Sequence, residues 1–181
     1  MTAAPSIAHR LATPRLVLRA TGAADAARGF EIQSDWNVTR MLRMARFPPD
    51  RAEIGQWFAD HPCQWIAGKA YRFAVEREGS LIGIVDLDEI AEGAADLGYW
   101  FDPAAWGQGF AGEAALAVVN FAFAELDLVL LRSAHASDNP ASGRVLRKLG
   151  FRFIAPVRVH SRSRGEVITQ LRYELTRPDE S

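Results

Sequence analysis

At 181 residues, 49% hydrophobic and 24% charged, the sequence has the length and apolar content of one compact domain with a substantial core, and leaves little room for a second. A formal net charge of -1 argues against nucleic acid or an anionic membrane as a bulk electrostatic partner, and the lone cysteine, Cys63, excludes an intramolecular disulfide and a cysteine-built metal cluster. The first ten residues lack the apolar core of a signal peptide and no run approaches a membrane span, so a soluble, cytoplasmic protein is expected, with no metal.

Residues 1–12 are polar and irregular and are expected to be frayed or disordered, with one domain over 13–177. Arg15-Leu-Val-Leu-Arg19 alternates as a half-buried strand does. Between Gly22 and Met44 the pattern suggests one or two short helices broken near Ser34-Asp35, where either residue suits a cap. Asp50 caps a further helix from Arg51 to about Asp60, with His61-Pro62 expected to end it. Tyr71 to Arg77 and Ser80 to Asp86 read as a hairpin around Glu78-Gly79, and a turn at Glu92-Gly93 leads to a strand over Leu97 to Phe101, so three strands form an antiparallel meander. An apolar helix over Phe110 to Leu126 carries polar side chains only at Glu113, Asn120 and Glu125 and must be covered on most sides. The strand Leu128 to Ala136 follows that helix and can therefore lie parallel to Leu97–Phe101 as a crossover. Asp138-Asn-Pro-Ala-Ser142 opens another helix, with Pro140 suited to its first position and Gly150 to its end. Phe151 to Val159 and Glu166 to Leu175 close the chain as an antiparallel pair. Arg162 and Arg164 in the turn between them read as a solvated loop, or as cations that attract an acidic acceptor or a nucleotide phosphate.

The stretch with the most chemistry is Gly107-Gln-Gly-Phe-Ala-Gly112, where glycines bring the chain from the Leu97 strand to the first turn of the apolar helix. The N–H groups of a first helical turn have no intrahelical partners and carry the positive end of the dipole, and glycines let an anion approach the backbone, so this is a phosphate cradle. The spelling Gly-x-Gly-x-x-Gly also matches a dinucleotide fingerprint, but the context is wrong for one. Asp102 to Trp106 separate the strand from the glycines, and the acid at the right count, Asp127, precedes the next apolar run instead of ending it.

Three signatures in order, Thr13-Pro-Arg-Leu-Val-Leu-Arg19, then Gly98-Tyr-Trp-Phe-Asp-Pro with Trp106-Gly-Gln-Gly-Phe-Ala111, then Asn139-Pro-Ala-Ser142 with Val145-Leu-Arg-Lys-Leu-Gly-Phe151, resemble the GNAT superfamily of N-acetyltransferases. Within it they resemble the branch that includes the ribosomal-protein N-terminal alanine and serine acetyltransferases. The resemblance covers about residues 13 to 177 and implies an α/β (α+β) fold: a mixed, mostly antiparallel central sheet with two splayed parallel strands and flanking helices. It implies acetyl-CoA as co-substrate, an amine acceptor, and allows a homodimer. Backbone around Phe101 would hold the pantetheine arm, Gln108, Gly109, Phe110, Ala111 and Gly112 the pyrophosphate, and Asn139 with Ser142 the arm near the thioester. The arm lies between two parting strands by the logic of adding a strand to a sheet edge.

Acetyl transfer needs a neutral amine, a polarised carbonyl and a proton for the departing thiolate. An α-amine of pKa about 7.7–8.0 gives up about 1.4 kcal/mol to be neutral near pH 7, a lysine of about 10.4 about 4.6 kcal/mol, so a base matters more for lysine. Where many relatives place a proton-donating Tyr this chain has Leu146, and the branch's serine, here Ser142, is the implied acid. Asp96, where relatives often carry Glu, shares a strand face with Gly98 and Trp100, and His135 has a suitable unperturbed pKa, so these two are the base candidates. A GNAT-like domain that binds acyl-CoA as a sensor, without turnover, is the rival reading.

Overall fold

A computed structural model describes residues 5–178. In chain order the elements are β1 (Arg10–Ala12), β2 (Val17–Ala20), α1 (Ala26–Gln33), α2 (Trp36–Thr39), α3 (Arg51–Ile66), β3 (Tyr71–Arg77), β4 (Ser80–Ala91) and β5 (Ala94–Phe101). There follow α4 (Phe110–Ala124), β6 (Leu130–Ala136), α5 (Pro140–Lys148), β7 (Arg152–Ser161) and β8 (Glu166–Thr176). They form one eight-stranded sheet in the order β1-β2-β3-β4-β5-β6-β8-β7. Every neighbouring pair is antiparallel except β5 and β6.

The mixed, mostly antiparallel sheet with one parallel pair and flanking helices is the architecture expected. Both turns of the meander place a glutamate and a glycine at positive φ, Glu78-Gly79 and Glu92-Gly93, which is the backbone twist that two-residue hairpins require. Alternation along the strands then sorts side chains between two cores. Phe73, Val75, Val85, Leu87, Leu97 and Phe101 face α4, whereas Ala74, Ile84 and Trp100 face Ile32, Ile54 and Phe58 of α1 and α3.

Three details differ from the expectations from sequence, and those expectations leave a fourth open. Residues 10–12, placed there in a frayed terminus, pair with 17–19, because Leu11 gains cover from the α4 core; residues 1–4 lie outside the described chain. Helix α3 runs through Pro62 to Ile66. An interior proline costs about 3 kcal/mol, but the extra turn buries Trp65 against Tyr71, Phe73 and Phe121. At about 25 cal/mol per Å² over the roughly 150–250 Å² that an aromatic buries, this returns roughly 4–6 kcal/mol. Strands β4 and β5 extend to the Glu92-Gly93 turn, past a bulge between Asp88 and Ala91 where Glu89 has positive φ. The order of the final hairpin, open from sequence, places β8 against β6, so the hairpin folds back and leaves β7 at the edge.

Phe121 is 1% exposed and meets Trp65, Tyr71 and Phe73. Phe121→Ala should cost about 3–5 kcal/mol, read as a lower urea midpoint with an unchanged denaturant slope. A loss below about 1 kcal/mol would show that α4 is not docked as described.

Candidate active site

The parallel pairing of β5 with β6 lasts three residue pairs, Ala94↔Leu130, Ala95↔Leu131 and Asp96↔Arg132. Just beyond it the Ser133 hydroxyl donates to the Leu97 carbonyl at 2.8 Å, and from there the strands part. Each strand stays bonded on its outer side, β5 to β4 as far as Gly83↔Phe101 and β6 to β8 as far as Ala136↔Gln170. The gap opens into a cavity of about 580 Å³. Leu97 O accepts from Ser133 and Phe101 O from the Trp106 indole at 3.0 Å, both on the β6 side. Alternation therefore turns the N–H and C=O of Tyr99 toward the gap as well. At Phe101, only the N–H is left for a ligand.

At the wide end of the gap lies the glycine loop. Asp102 caps the short turn Pro103–Ala105 by accepting from the Ala104 N–H at 2.8 Å. Gly107 and Gly109 take φ of 73° and 82°, a region that other side chains resist, and Gly109 is the N-cap of α4. Glu113 N–H is the first to find a helical acceptor, on Gly109 O at 3.1 Å; among the described residues the N–H groups of Phe110, Ala111 and Gly112 have none. Two cations that the sequence reading missed border the loop. The Arg15 guanidinium lies 4.5 Å from the Phe110 ring centre and donates to Gln108 O at 3.0 Å, while Arg77 lies 5.0 Å from the same ring. Arg15 is held by Glu113 at 2.6 Å, and Glu113 also accepts from Thr13 at 2.6 Å.

Helix α5 brings the next group. Asn139 is its N-cap and accepts from the Ser142 N–H at 3.3 Å. The Ser142 hydroxyl is 2.8 Å from the Tyr99 hydroxyl, which can donate to Ser142 O at 3.2 Å. Burial pushes the Tyr99 phenol up to about 12, against the Ser142 hydrogen bond, so it stays protonated. Tyr99 was not singled out from sequence. Leu146 is fully buried and offers no hydroxyl. His135 is also in the cavity wall. Its Nδ1 meets Ala136 O at 2.8 Å, so that nitrogen carries the proton, and Nε2 faces the Tyr173 hydroxyl at 3.4 Å. Alternation puts His135 with Ser133 and Leu131 on the α4–α5 side, beside Ser142. Asp96 is not brought in: its side chain is 51% exposed and accepts from Arg132 Nε at 2.8 Å in the last zipped pair.

The remaining wall comes from α2 and the segment after it, including Asn37, Arg40 and Met41. The β7–β8 turn docks there, with Arg162 N–H donating to Arg43 O at 2.8 Å and Arg164 Nε to Arg40 O at 2.7 Å. Arg164 forks onto both oxygens of Asp138 at 2.9 Å, and Arg40 joins the same carboxylate at 3.0 Å; hydrogen bonding from Arg164 first holds Asp138 below the usual carboxylate range. Arg162 pairs with Glu53. Both turn arginines are thus fasteners, not a solvated loop. No helix among the described residues is long and apolar enough to cross a membrane.

A parallel pair that opens beside a glycine-capped helix is the layout of an acyltransferase that holds its donor between strands, and residues 15–152 match the acetyltransferase (GNAT) domain family. The chain belongs to that family and is an N-acetyltransferase by descent. It is 30% identical over 176 residues to the uncharacterised N-acetyltransferase YoaA of Bacillus subtilis strain 168, covering 94% of this chain and 98% of the relative. Among solved structures, the ribosomal L7/L12 α-N-protein acetyltransferase RimL in complex with coenzyme A superposes with a TM-score of 0.84 at 18% identity, covering 93% and 98% of the two chains. Spermidine N-acetyltransferase from Vibrio cholerae, in complex with coenzyme A and spermine, gives 0.79 at 20%, covering 91% and 96%.

Proposed function

We propose that this protein transfers acetyl from acetyl-CoA to a primary amine by direct attack in a ternary complex, and that the amine is the N-terminus of a protein or a small molecule bearing one amine. The observation that carries the donor half is the gap itself: free backbone groups of Tyr99 and Phe101 run from a glycine-loop amide cluster toward Ser142. The pyrophosphate would lie on the N–H groups of Phe110, Ala111 and Gly112 with Gln108 and Gly109 forming the turn, near Arg15 and Arg77. Arg144 and Lys148, cavity-lining cations of α5, suit a further phosphate. The arm would add to the β5 edge as a short strand.

In the reaction the amine lone pair forms the N–C bond and the C–S pair leaves on sulfur. Ser142 Oγ gives its proton to the thiolate, the Tyr99 hydroxyl, held at hydrogen-bond distance, passes one to Ser142 and regains it from solvent, and the new amide nitrogen releases its surplus proton. No exposed Asp or Glu lines the cavity among the described residues, and Asp86, against Gly98 where the gap begins, is buried. That wall suits a single amine better than a polycation such as a polyamine, whose charges need carboxylates, and supports an α-amine acceptor, for which neutralisation is cheapest.

Gly109→Trp should obstruct the cradle and weaken coenzyme A binding at least tenfold by calorimetry; retained affinity would reject the placement. Ser142→Ala should lower kcat about a hundredfold and Tyr99→Phe roughly tenfold, with acetyl-CoA Kd within about twofold, as expected for groups that act on a proton. Mass-spectrometric acceptor screening, with peptides bearing free α-amines against polyamines and aminoglycosides, should give acetylated peptide or monoamine, with thiol release that depends on acceptor. Donor binding without such release would establish a sensor, and preferred acetylation of polyamines would overturn the acceptor assignment.

A further inference from the structure

On the opposite face of the sheet from Ser142, the strand register sets Asp86 of β4 against Gly98 of β5. Gly98 is the second residue past the last zipped β5–β6 pair, so it stands where the gap begins. A Cβ on Gly98 would lie 2.4 Å from Asp86 Oδ1, which means that the missing side chain is what lets the carboxylate lie over the backbone at that point. Alternation places Asp86 with Ile84 and Trp100, on the side covered by α1, α2 and α3, from which the cavity is walled by α2 residues.

This carboxylate is buried, and its one facing cation is held at arm's length. Its counter-ion should be Arg72, directly across β3, but Arg72 gives its two terminal nitrogens to Gln64 and Asp88. Its Nε is left 4.0 Å from Asp86 Oδ2, buried and without a hydrogen-bond partner. No side chain donates a hydrogen bond to Asp86 among the described residues, and 12% of its side chain remains open. A structural ion pair would close that contact, since a buried carboxylate held short of its partner costs stability. Groups that forgo a stabilising contact cluster where chemistry is done.

We propose that Asp86 takes the proton from the attacking amine, directly or through one water, on the face opposite the Ser142 acid. The assignment rests on the acetyltransferase reading. The nitrogen gives its lone pair to the carbonyl carbon and its proton to the carboxylate, which returns it to solvent after the thiol leaves. The charged groups that act on Asp86 are Arg72 on β3 and Asp88 on β4, with Asp96 of β5 beyond Asp88 and His61 of α3 beside Arg72. Burial, then Arg72, pushes His61 down to about 3, so it is neutral and does not compete for the proton. Burial, then repulsion from Asp88, raises Asp86 to about 7, against Arg72 and the Gly98 N–H. A base must be ionised, so turnover should rise with pH through about 7.

The test compares wild type with Asp86→Asn in thiol release from acetyl-CoA, using the best acceptor of a peptide and amine panel, over pH 5.5–9. Asp86→Asn should lose about a hundredfold or more in kcat and the limb near pH 7, with acetyl-CoA Kd within about twofold. The folded-state pKa lies above the unfolded value, so wild type loses stability as pH rises from about 4 through 7 and the amide variant, which keeps only Asp88 raised by burial, loses less; its Tm at pH 8 should equal or exceed wild type. A folded Asp86→Asn enzyme within threefold of wild type, with the same limb, overturns the assignment alone. Should that variant not fold, wild-type kcat decides with two acceptors of different amine pKa: a limb fixed near 7 supports Asp86, and one that follows the amine overturns it. A wild type that releases no thiol with any acceptor overturns the transferase reading and this assignment with it.

Discussion

The structure depends on a sheet that stops bonding to itself. Three pairs join β5 to β6, and then both strands keep their outer partners and abandon each other. A free strand edge inside a protein is a hydrogen-bonding demand, because backbone donors and acceptors left dry are costly. Here the first demand is met by Ser133 and the far one by Trp106, which leaves the middle, around Tyr99, open. An extended amide-bearing chain is the complement of that opening. The shape of the ligand is thus written into the backbone, and the side chains around it supply charge and protons.

A consequence is a division of labour between the two faces of one strand. Tyr99 points toward α5 and meets Ser142, while Gly98, one residue earlier, presents bare backbone to Asp86 on the other face. On the proposed assignments, a carbonyl held in the gap would have a proton donor on one side and a proton acceptor on the other.

What could be read from the chain was what is local. The glycine loop, the Asn139 cap and both two-residue hairpins each fall within a few positions and follow from backbone preference. The mixed sheet follows once the crossover through α4 is recognised. Contacts across the sheet were not legible. Tyr99 and Ser142 are 43 positions apart, and nothing in either neighbourhood announces the other. Alternation put Asp96 on one face with Gly98, but a face does not say how far along the strand the gap begins, and Asp96 falls in the last zipped pair. Asp86 is legible only when the register with Gly98 and the distraction of Arg72 by Gln64 and Asp88 are both known. The last hairpin was visible, but which of its strands meets β6 is decided by packing.

The link between Arg15 and Glu113 spans 98 positions and ties the segment before β2 to the opening turn of α4. The guanidinium beside the glycine loop is therefore fixed by a carboxylate, and on the proposed reading a diphosphate on that loop would meet a cation whose rotamers are already settled. Changes to the segment that leads into the first long-range strand, a fused tag or a shortened start, would reach the donor pocket without touching a residue that lines it.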